Sequence, residues 1–193
     1  MMKPLIPAFL MLQLLSCTAS STDEVSAVSE ETAVIRSYPV DKAAIYIDTV
    51  KSFKGGQKID TKNVNPAELL NFARTQIGVP YLYASIDPAK GFDCSGFITY
   101  VFHHFNIEVP RSSVDFTNLE TEIPLNSTAP GDLILFTGTD SAATVVGHMG
   151  IITENTDSIR FIHSTSGKAN SVTITAVNNY YMKRFVKVIR IFD

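Results

Sequence analysis

The apolar residues follow a helical spacing in the middle of the chain and a strand spacing in its last third. A first helix is predicted from four apolar residues that fall on one helical face: Leu69, Phe72, Ala73 and Ile77. The run Asn65-Pro66-Ala67-Glu68 is typical of a helix start, because asparagine caps well and proline suits the first helical position. Gly78 and Pro80 are predicted to end this helix.

A second helix is predicted to begin at Asp93, whose carboxylate can cap the first turn. Five apolar residues then fall on one face of it: Cys94, Phe97, Ile98, Val101 and Phe105. Cys94 is therefore expected in the first turn, on the side that packs against the rest of the domain. The run 109–113 breaks the helical pattern and is predicted to open a short helix that continues to Leu119.

After Pro130-Gly131-Asp132 the spacing becomes that of β-strands. Five strands are predicted, at residues 133–136, 145–153, 159–164, 172–176 and 186–192. Helices followed by a run of strands are typical of an α+β domain with an antiparallel sheet. We therefore expect the helix that begins with Cys94 to pack on an antiparallel sheet of about five strands.

Residues 1–17 have the pattern of an export signal. A single basic residue precedes an apolar stretch, residues 5–15, which is too short to span a membrane. The segment ends in Leu14-Leu15-Ser16-Cys17, which is similar to a bacterial lipoprotein signal and implies cleavage before Cys17 and a lipid on that cysteine. The protein would then be anchored to a membrane of the cell envelope, facing the periplasm or the outside. The alternative is an ordinary secretory signal that is cleaved near Ala19.

A chain of 193 residues is expected to hold one domain and a tail. Residues 18–32 are rich in serine, threonine, alanine and acidic residues, a composition that buries little apolar surface and is typical of a disordered tether. Residues 33–60 hold more apolar residues but are too few for a core of their own. We therefore interpret residues 18–64 as a tether with a short accessory segment and residues 65–193 as the main domain.

The charge balance gives no indication of nucleic-acid binding. The net charge is −3 and the basic residues are scattered, whereas a nucleic-acid-binding domain usually carries a basic stripe. The chain has two cysteines, and with a lipid on Cys17 the remaining thiol is that of Cys94. A single thiol in an oxidising compartment has no partner for an intramolecular disulfide, which favours a reactive role.

A reactive Cys94 needs a base. A thiol becomes a strong nucleophile only as the thiolate, and its free pKa is roughly 8.5. The first turn of a helix and a nearby imidazole would both lower the pKa of the thiol. Of the four histidines, His103 and His104 lie on the same predicted helix, more than two turns from Cys94, and we interpret them as surface residues.

His148 and His163 lie in two neighbouring predicted strands. A turn centred in Glu154-Asn155-Thr156-Asp157 would pair them directly, with Cβ atoms roughly 4.5–5.5 Å apart. One histidine would then act as the base for Cys94 and the other would orient it, in an order that the spacing leaves open. A zinc site made of these three residues is an alternative, but structural zinc sites usually use closely spaced ligand pairs, which are lacking here, so no metal is expected.

Six short segments occur in order between residues 75 and 165. They are Gly78-Val79-Pro80-Tyr81, Phe92-Asp93-Cys94-Ser95-Gly96-Phe97, Pro110-Arg111-Ser112-Ser113, Pro130-Gly131-Asp132-Leu133, Gly147-His148-Met149-Gly150-Ile151 and Phe161-Ile162-His163-Ser164. Together they resemble the NlpC family, the papain-like cysteine peptidases of bacterial cell walls. The resemblance implies a papain-like fold in which the helix with the nucleophile packs on a mostly antiparallel sheet.

The resemblance also implies roles for individual residues. Cys94 matches the nucleophile, His148 the general base and His163 the third, orienting residue. Tyr81 matches a tyrosine near the nucleophile that helps the Cys94 backbone N–H to bind the oxyanion.

Two further residues, Asp93 and Ser95, match positions that contact the substrate in some members of the family. The activity that the resemblance implies is cleavage of the γ-D-glutamyl–diamino-acid bond in the stem peptides of peptidoglycan, without a cofactor. The alternatives are an amidase or acyltransferase on the same scaffold, and a non-catalytic, lipid-anchored protein that binds the cell wall. Ala84-Ser85 stands where relatives often have two glycines, which affects the substrate rim more than the thiol.

Overall fold

The computed structural model of the protein describes residues 53–119, 121–139 and 144–192. The predicted signal, the predicted tether and Cys17 therefore lie outside the described residues. No helix in the described ranges is both long enough and apolar enough to cross a membrane. All the described residues belong to one compact unit.

Three α-helices, two short 3₁₀ helices and eight strands make up the described part of the chain. The α-helices are α1 (Pro66–Arg74), α2 (Cys94–His104) and α3 (Asn179–Met182). The 3₁₀ helices span Ser113–Asn118 and Leu125–Ser127. The strands are β1 (Ile86–Asp87), β2 (Gly91–Phe92), β3 (Thr121–Ile123), β4 (Leu133–Thr137), β5 (Val146–Asn155), β6 (Ile159–Thr165), β7 (Ser171–Ala176) and β8 (Phe185–Arg190).

Six of the strands form one antiparallel sheet in the order β3-β8-β4-β5-β6-β7, and β1 pairs with β2 separately. The predicted α+β fold with an antiparallel sheet is confirmed, and the five predicted strands are present as β4 to β8. The sixth strand, β3, has only three residues, and both Thr121 and Glu122 are exposed. It escapes prediction because no alternation of apolar and polar residues marks it.

The start of α1 is as predicted, whereas its end is not. The Asn65 side chain accepts a hydrogen bond from the backbone N–H of Ala67 at 2.8 Å, and proline occupies the first helical position. The helix ends at Arg74, where Thr75 takes the cap position. Ile77 is therefore not part of the helix, and it is 50% exposed.

α2 carries Cys94 in its first turn because Asp93 caps the helix, as predicted. The Asp93 carboxylate accepts a hydrogen bond from the backbone N–H of Gly96 at 2.5 Å. Glycine is required at residue 96, because a Cβ there would collide with the carbonyl oxygen of Ser85. The close approach of this loop to the helix fixes the position of the first turn.

Apolar side chains cover both faces of the sheet. The alternation along β4 directs Leu133 and Leu135 into a larger core with α1 and α2, and directs Ile134 and Phe136 into a smaller cluster on the opposite face. Ile59, which precedes the predicted start of the main domain, is buried in the larger core. Some of the chain before residue 65 therefore belongs to the folded domain.

The predicted direct pairing of His148 with His163 is wrong. Ile151 pairs with Ile162, and this register, continued toward the start of β5, places His163 opposite Gly150. The turn lies later than predicted, at residues 156–158, and a bulge interrupts the ladder after Ile152. The register is displaced by two residues, so both histidines keep the same face of the sheet and become diagonal neighbours.

Candidate active site

The thiol of Cys94 meets strand β5 at Gly147. Its Sγ lies 3.9 Å from the carbonyl oxygen of Gly147, directly before His148 in the chain. A Cβ at residue 147 would lie 2.8 Å from the Cα of Gly138, so glycine is needed where β5 approaches the end of β4. Cys94, His148 and Tyr81 border the same cavity, which has a volume of about 1100 Å³.

The two strand histidines are joined by a hydrogen bond. His148 Nε2 lies 2.8 Å from His163 Nδ1, and the two imidazole planes are nearly perpendicular, at 77°. His148 borders the cavity and His163 does not. Since Nε2 of His148 is engaged, its Nδ1 is the nitrogen that can exchange a proton in the cavity. His148 therefore lies between the cavity and His163, and this is the order that the spacing left open.

The hydrogen-bonded chain continues to Thr175 on β7. His163 Nε2 lies 2.9 Å from Thr175 Oγ1. With Nδ1 of His148 acting as an acceptor, Nε2–H of His148 donates to His163 Nδ1, and Nε2–H of His163 donates to the threonine hydroxyl. Sequence reasoning missed Thr175, because its strand pairs with β6 only in the folded sheet. Within the described residues, no group of three His, Cys, Asp or Glu side chains is placed to hold a metal ion.

Burial sets the protonation of the thiol. It raises the pKa of Cys94 from an ordinary 9.0 to about 11, and the Asp93 carboxylate acts in the same direction. The backbone N–H groups of Ser95, at the start of α2, and of Met149, on β5, favour the thiolate. Burial outweighs them, so the expected lowering of the thiol pKa is not found, and the resting group is the neutral thiol.

Burial has the opposite effect on the histidines, because it disfavours their cationic forms. The pKa of His148 falls from 6.5 to about 3, first through burial and then through the positive charge of Arg184. The pKa of His163 also lies well below 6.5, for burial first and then for the proximity of His148 and Arg184. Cys94 and His148 are therefore both neutral in the resting protein.

Arg184 is the cation that adds to the effect of burial on the pKa values of both histidines, and the sequence did not indicate it. It follows α3, is buried, and borders the cavity. Its Nη1 donates to the Tyr180 hydroxyl at 2.5 Å, and its Nη2 donates to the carbonyl oxygen of Thr137 at 2.8 Å. No local pattern could have singled it out, since its proximity to the histidines depends on how α3 packs on the sheet.

Tyr81 lies on the cysteine side of the cavity. Its backbone forms a bridge with Phe92, and its N–H donates to the carbonyl oxygen of Asn170 at 3.0 Å. Burial raises the pKa of the Tyr81 hydroxyl, and Cys94 and Asp93 add to the shift. A neutral phenol beside the thiol can donate a hydrogen bond, which is the property that an oxyanion requires.

Asp93 and Ser95 are bound to Arg111. Arg111 Nη2 lies 2.7 Å from Asp93 Oδ2, and its Nη1 donates to Asp93 Oδ1 and to Ser95 Oγ, each at 3.0 Å. Both residues are buried, and neither borders the cavity. Their polar atoms hold the start of α2 in place, and a contact with substrate stays a prediction.

The other two histidines are remote from this arrangement. His103 and His104 form the last two residues of α2, and neither borders the cavity. The His104 ring stacks on Phe72 with the ring centroids 3.6 Å apart.

Comparison with known families and proteins identifies the class. Residues 78–190, more than half of the chain, match the model of the NlpC/P60 family, and the chain belongs to that family. The resemblance inferred from the six sequence segments is confirmed.

Individual relatives extend this result. The chain is 34% identical over 122 residues, 63% of its length and 28% of the relative's, to the gamma-DL-glutamyl hydrolase of Bacillus subtilis (strain 168). It is 32% identical over 117 residues, 59% of its length and 70% of the relative's, to the probable endopeptidase NlpC of Escherichia coli (strain K12). The chain thus spans less than a third of the first of these relatives.

A solved structure with the same fold is that of an NlpC/P60 family protein from Bacillus cereus. It matches with a TM-score of 0.60 and 26% identity, over 68% of this chain and 42% of that one.

Proposed function

We propose that this protein is a cysteine peptidase that hydrolyses an amide bond in peptidoglycan stem peptides, with Cys94 as nucleophile and His148 as base. The observation that carries the proposal is the placement of Cys94 and His148 on one cavity, with His148 Nε2 held 2.8 Å from His163 Nδ1. Membership of the NlpC/P60 family and a relative named gamma-DL-glutamyl hydrolase support a γ-glutamyl bond as the target, and we propose that this is the γ-D-glutamyl–diamino-acid bond.

The first chemical step forms a thioester. Substrate in the cavity displaces water, and the thiol proton of Cys94 moves to Nδ1 of His148 as the sulfur attacks the scissile carbonyl carbon. The backbone N–H of Cys94 and the hydroxyl of Tyr81 are proposed to stabilise the oxyanion. The hydrogen bond from His148 Nε2–H to His163 stabilises the imidazolium that forms. When the oxyanion collapses, Nδ1–H protonates the departing amine and the C–N bond breaks.

The second step regenerates the enzyme. His148 is neutral again once the amine has left, so its Nδ1 can accept a proton from a water molecule that attacks the thioester carbonyl. The C–S bond then breaks and the proton returns to the sulfur of Cys94. The products are a carboxylic acid and an amine, and no metal or redox group enters the balance.

The test is digestion of purified muropeptides by the full-length protein, followed by mass spectrometry. We expect products one water heavier in sum than the substrate, and no products from the Cys94→Ala variant, with circular dichroism showing that the variant is folded. His103→Ala is the matched control and should retain activity. Turnover by Cys94→Ala would overturn the proposal, and transfer of the acyl group to an added amine, without hydrolysis, would indicate an acyltransferase instead.

The membrane anchor is a separate proposal that the sequence alone supports. Cys17 is proposed to carry a lipid that holds the protein at a membrane of the cell envelope. Mass spectrometry of the mature N-terminus tests this, because a lipidated Cys17 adds the mass of its acyl chains. A mature protein that begins after Ala19 without lipid would contradict it.

A further inference from the structure

The cavity wall contains a buried cation to which the proposed mechanism assigns no role. Arg184 is 6% exposed and borders the cavity beside His148. None of the ion pairs formed among the described residues includes it. Burial of a charge without a counterion is unfavourable, so an unpaired cation in the cavity wall is a candidate for binding an anion.

The guanidinium also has hydrogen-bond donors to spare. Of its five N–H groups, one donates to the Tyr180 hydroxyl and one to the carbonyl oxygen of Thr137. Its buried Nε has no hydrogen-bond partner in the described part of the protein. A carboxylate matches the planar fork of a guanidinium with two parallel hydrogen bonds. One N–H on each of Nη1 and Nη2 is left over, and this pair of donors is suited to a ligand carboxylate.

The contacts that Arg184 does make hold it in place without neutralising its charge. Its Cζ lies 4.9 Å from the centre of the Tyr180 ring and 6.0 Å from that of Tyr181. Such cation–π contacts are favourable, but they leave the Nε donor unused. The side chain is thus preorganised before any ligand arrives, which reduces the entropy lost on binding.

The rest of the cavity favours an anion. Among the described residues that line it, the charged ones are Lys168 and Arg184, both basic, and none is acidic. A stem peptide has the complementary charge. A γ-linked glutamyl residue keeps its α-carboxylate, and the diamino acid on the other side of the bond brings a carboxylate of its own where it ends the peptide or carries a second carboxyl group.

The position of Arg184 indicates which of these carboxylates it meets. Thr137, whose carbonyl it binds, pairs with Val146, two residues before His148. The charge of Arg184 acts on both histidines, whereas the charge that acts on Cys94 is that of Asp93. Arg184 therefore lies on the histidine side of the cavity. His148 protonates the departing amine, so this is the side of the leaving residue.

We propose that Arg184, together with the Tyr180 hydroxyl, forms a subsite for the carboxylate of the residue that leaves as the amine. That this residue leaves as the amine, and that it is a diamino acid, rests on the proposed function, whereas the preference for a carboxylate does not.

The test compares L-alanyl-γ-D-glutamyl-L-lysine with the same peptide amidated at the lysine carboxyl group. Wild-type protein should cleave the acid with a kcat/KM about 10- to 100-fold higher than the amide, the range expected for a charge-assisted hydrogen-bond pair. Arg184→Gln should lose that preference, because kcat/KM for the acid should fall while kcat/KM for the amide stays unchanged. Arg184→Lys keeps the charge and should retain part of it. Lys183→Gln makes the same charge change at the next, exposed residue and should leave the preference intact.

Two outcomes would overturn the subsite. One is a wild-type protein that cleaves acid and amide equally well. The other is an Arg184→Gln protein that loses the same factor on both peptides, which is the mark of a structural role.

Binding separates this proposal from the proposed function. Calorimetry with the catalytically inactive Cys94→Ala protein should show tighter binding of the acid than of the amide, and Cys94→Ala/Arg184→Gln should show no preference. This result would support the subsite even if wild-type protein cleaved neither peptide, an outcome that contradicts only the proposed function. Equal affinities, or binding of neither form, would overturn the subsite.

Discussion

The start of α2 and the strand end of the site, where His148, His163 and Arg184 lie, differ in how buried charge is neutralised. At the start of α2, Asp93 and Arg111 form an ion pair, and Ser95 accepts a further hydrogen bond from the same guanidinium. At the strand end, Arg184 has no carboxylate partner among the described residues, and both histidines are held neutral by burial. At the start of α2 the buried charges are paired within the protein. At the strand end the charge of Arg184 is proposed to pair with a ligand.

This difference separates a structural role from a chemical one. The Asp93–Arg111 pair fixes the first turn of α2 and with it the thiol, so its loss should reduce stability. The strand end holds the groups whose protonation or pairing is expected to change during the reaction. Its substitutions should therefore change activity, substrate preference or pH dependence more than folding.

The largest effect is expected at His148, which represents the strand end. His148→Ala removes the group that accepts the thiol proton and protonates the leaving amine, so kcat/KM for muropeptides should fall by about 10²- to 10⁴-fold. The free energy of unfolding should change far less than for a core residue of similar burial, since a desolvated imidazole is removed. A loss of activity below tenfold would show that another group is the base.

Arg111→Gln tests the start of α2. It removes a charge-assisted pair from a largely buried Asp93, and we expect about 1–3 kcal/mol of lost stability, measured by urea unfolding. The preference for the acid over the amide peptide should stay at the wild-type value. Arg74→Gln, on the exposed face of α1, is the matched control with little effect. A stable Arg111→Gln protein that lost the preference for the acid peptide would contradict the purely structural role of the Asp93–Arg111 pair.

The pH dependence of stability comes from the strand end. His148 has a pKa of about 3 in the folded protein and an ordinary value of 6.5, so the unfolded chain binds the proton more readily. The contribution of His148 to the free energy of unfolding is therefore complete above about pH 6.5, and it is lost as the pH falls from there toward 3. The slope is about 1.4 kcal/mol per pH unit for this histidine. Urea unfolding between pH 7 and pH 5 should show a shallower slope for His148→Asn, and equal slopes would contradict the assignment.

Thr175 should give the smallest effect. Thr175→Val removes the hydroxyl that receives a hydrogen bond from His163, and kcat/KM should fall about two- to tenfold. Thr175→Ser keeps the hydroxyl and should restore activity, which a packing defect would not explain. The pH profile of kcat/KM should also shift in the valine variant, because His163 Nε2–H would lose its hydrogen-bond acceptor. An unchanged pH profile of kcat/KM would show that Thr175 has only a packing role.

The sequence predicts those parts of the fold that local chemistry decides. The caps at Asn65 and Asp93 and the strand spacing after residue 132 were sufficient for the start of α1, for α2 with Cys94 in its first turn, and for β4 to β8, whereas α3 and β1 to β3 were not predicted. The hairpin register was not, because a later turn and a bulge after Ile152 have no clear sequence signal. His148 and His163 still share a face, since the displacement of two residues preserves the alternation.

The site was predicted less fully than the fold. Cys94 and both strand histidines could be proposed from spacing and resemblance, but Thr175 and Arg184 join them only through tertiary packing. The direction of the thiol pKa was also beyond the sequence. The helix start favours the thiolate, and the opposing burial, which is larger, depends on tertiary packing such as the approach of β5 to the sulfur at Gly147.

The covalent role of Cys94 is tested most directly with an activated ester of the γ-carboxyl group of L-alanyl-D-glutamate. Such an ester acylates fast, so breakdown of the thioester should limit turnover. We expect a burst of one leaving group per protein molecule and an acyl adduct on the Cys94 peptide by mass spectrometry, both absent in Cys94→Ala. Linear release without a burst, with unmodified Cys94 in a protein that digests muropeptides, would contradict the covalent role of Cys94.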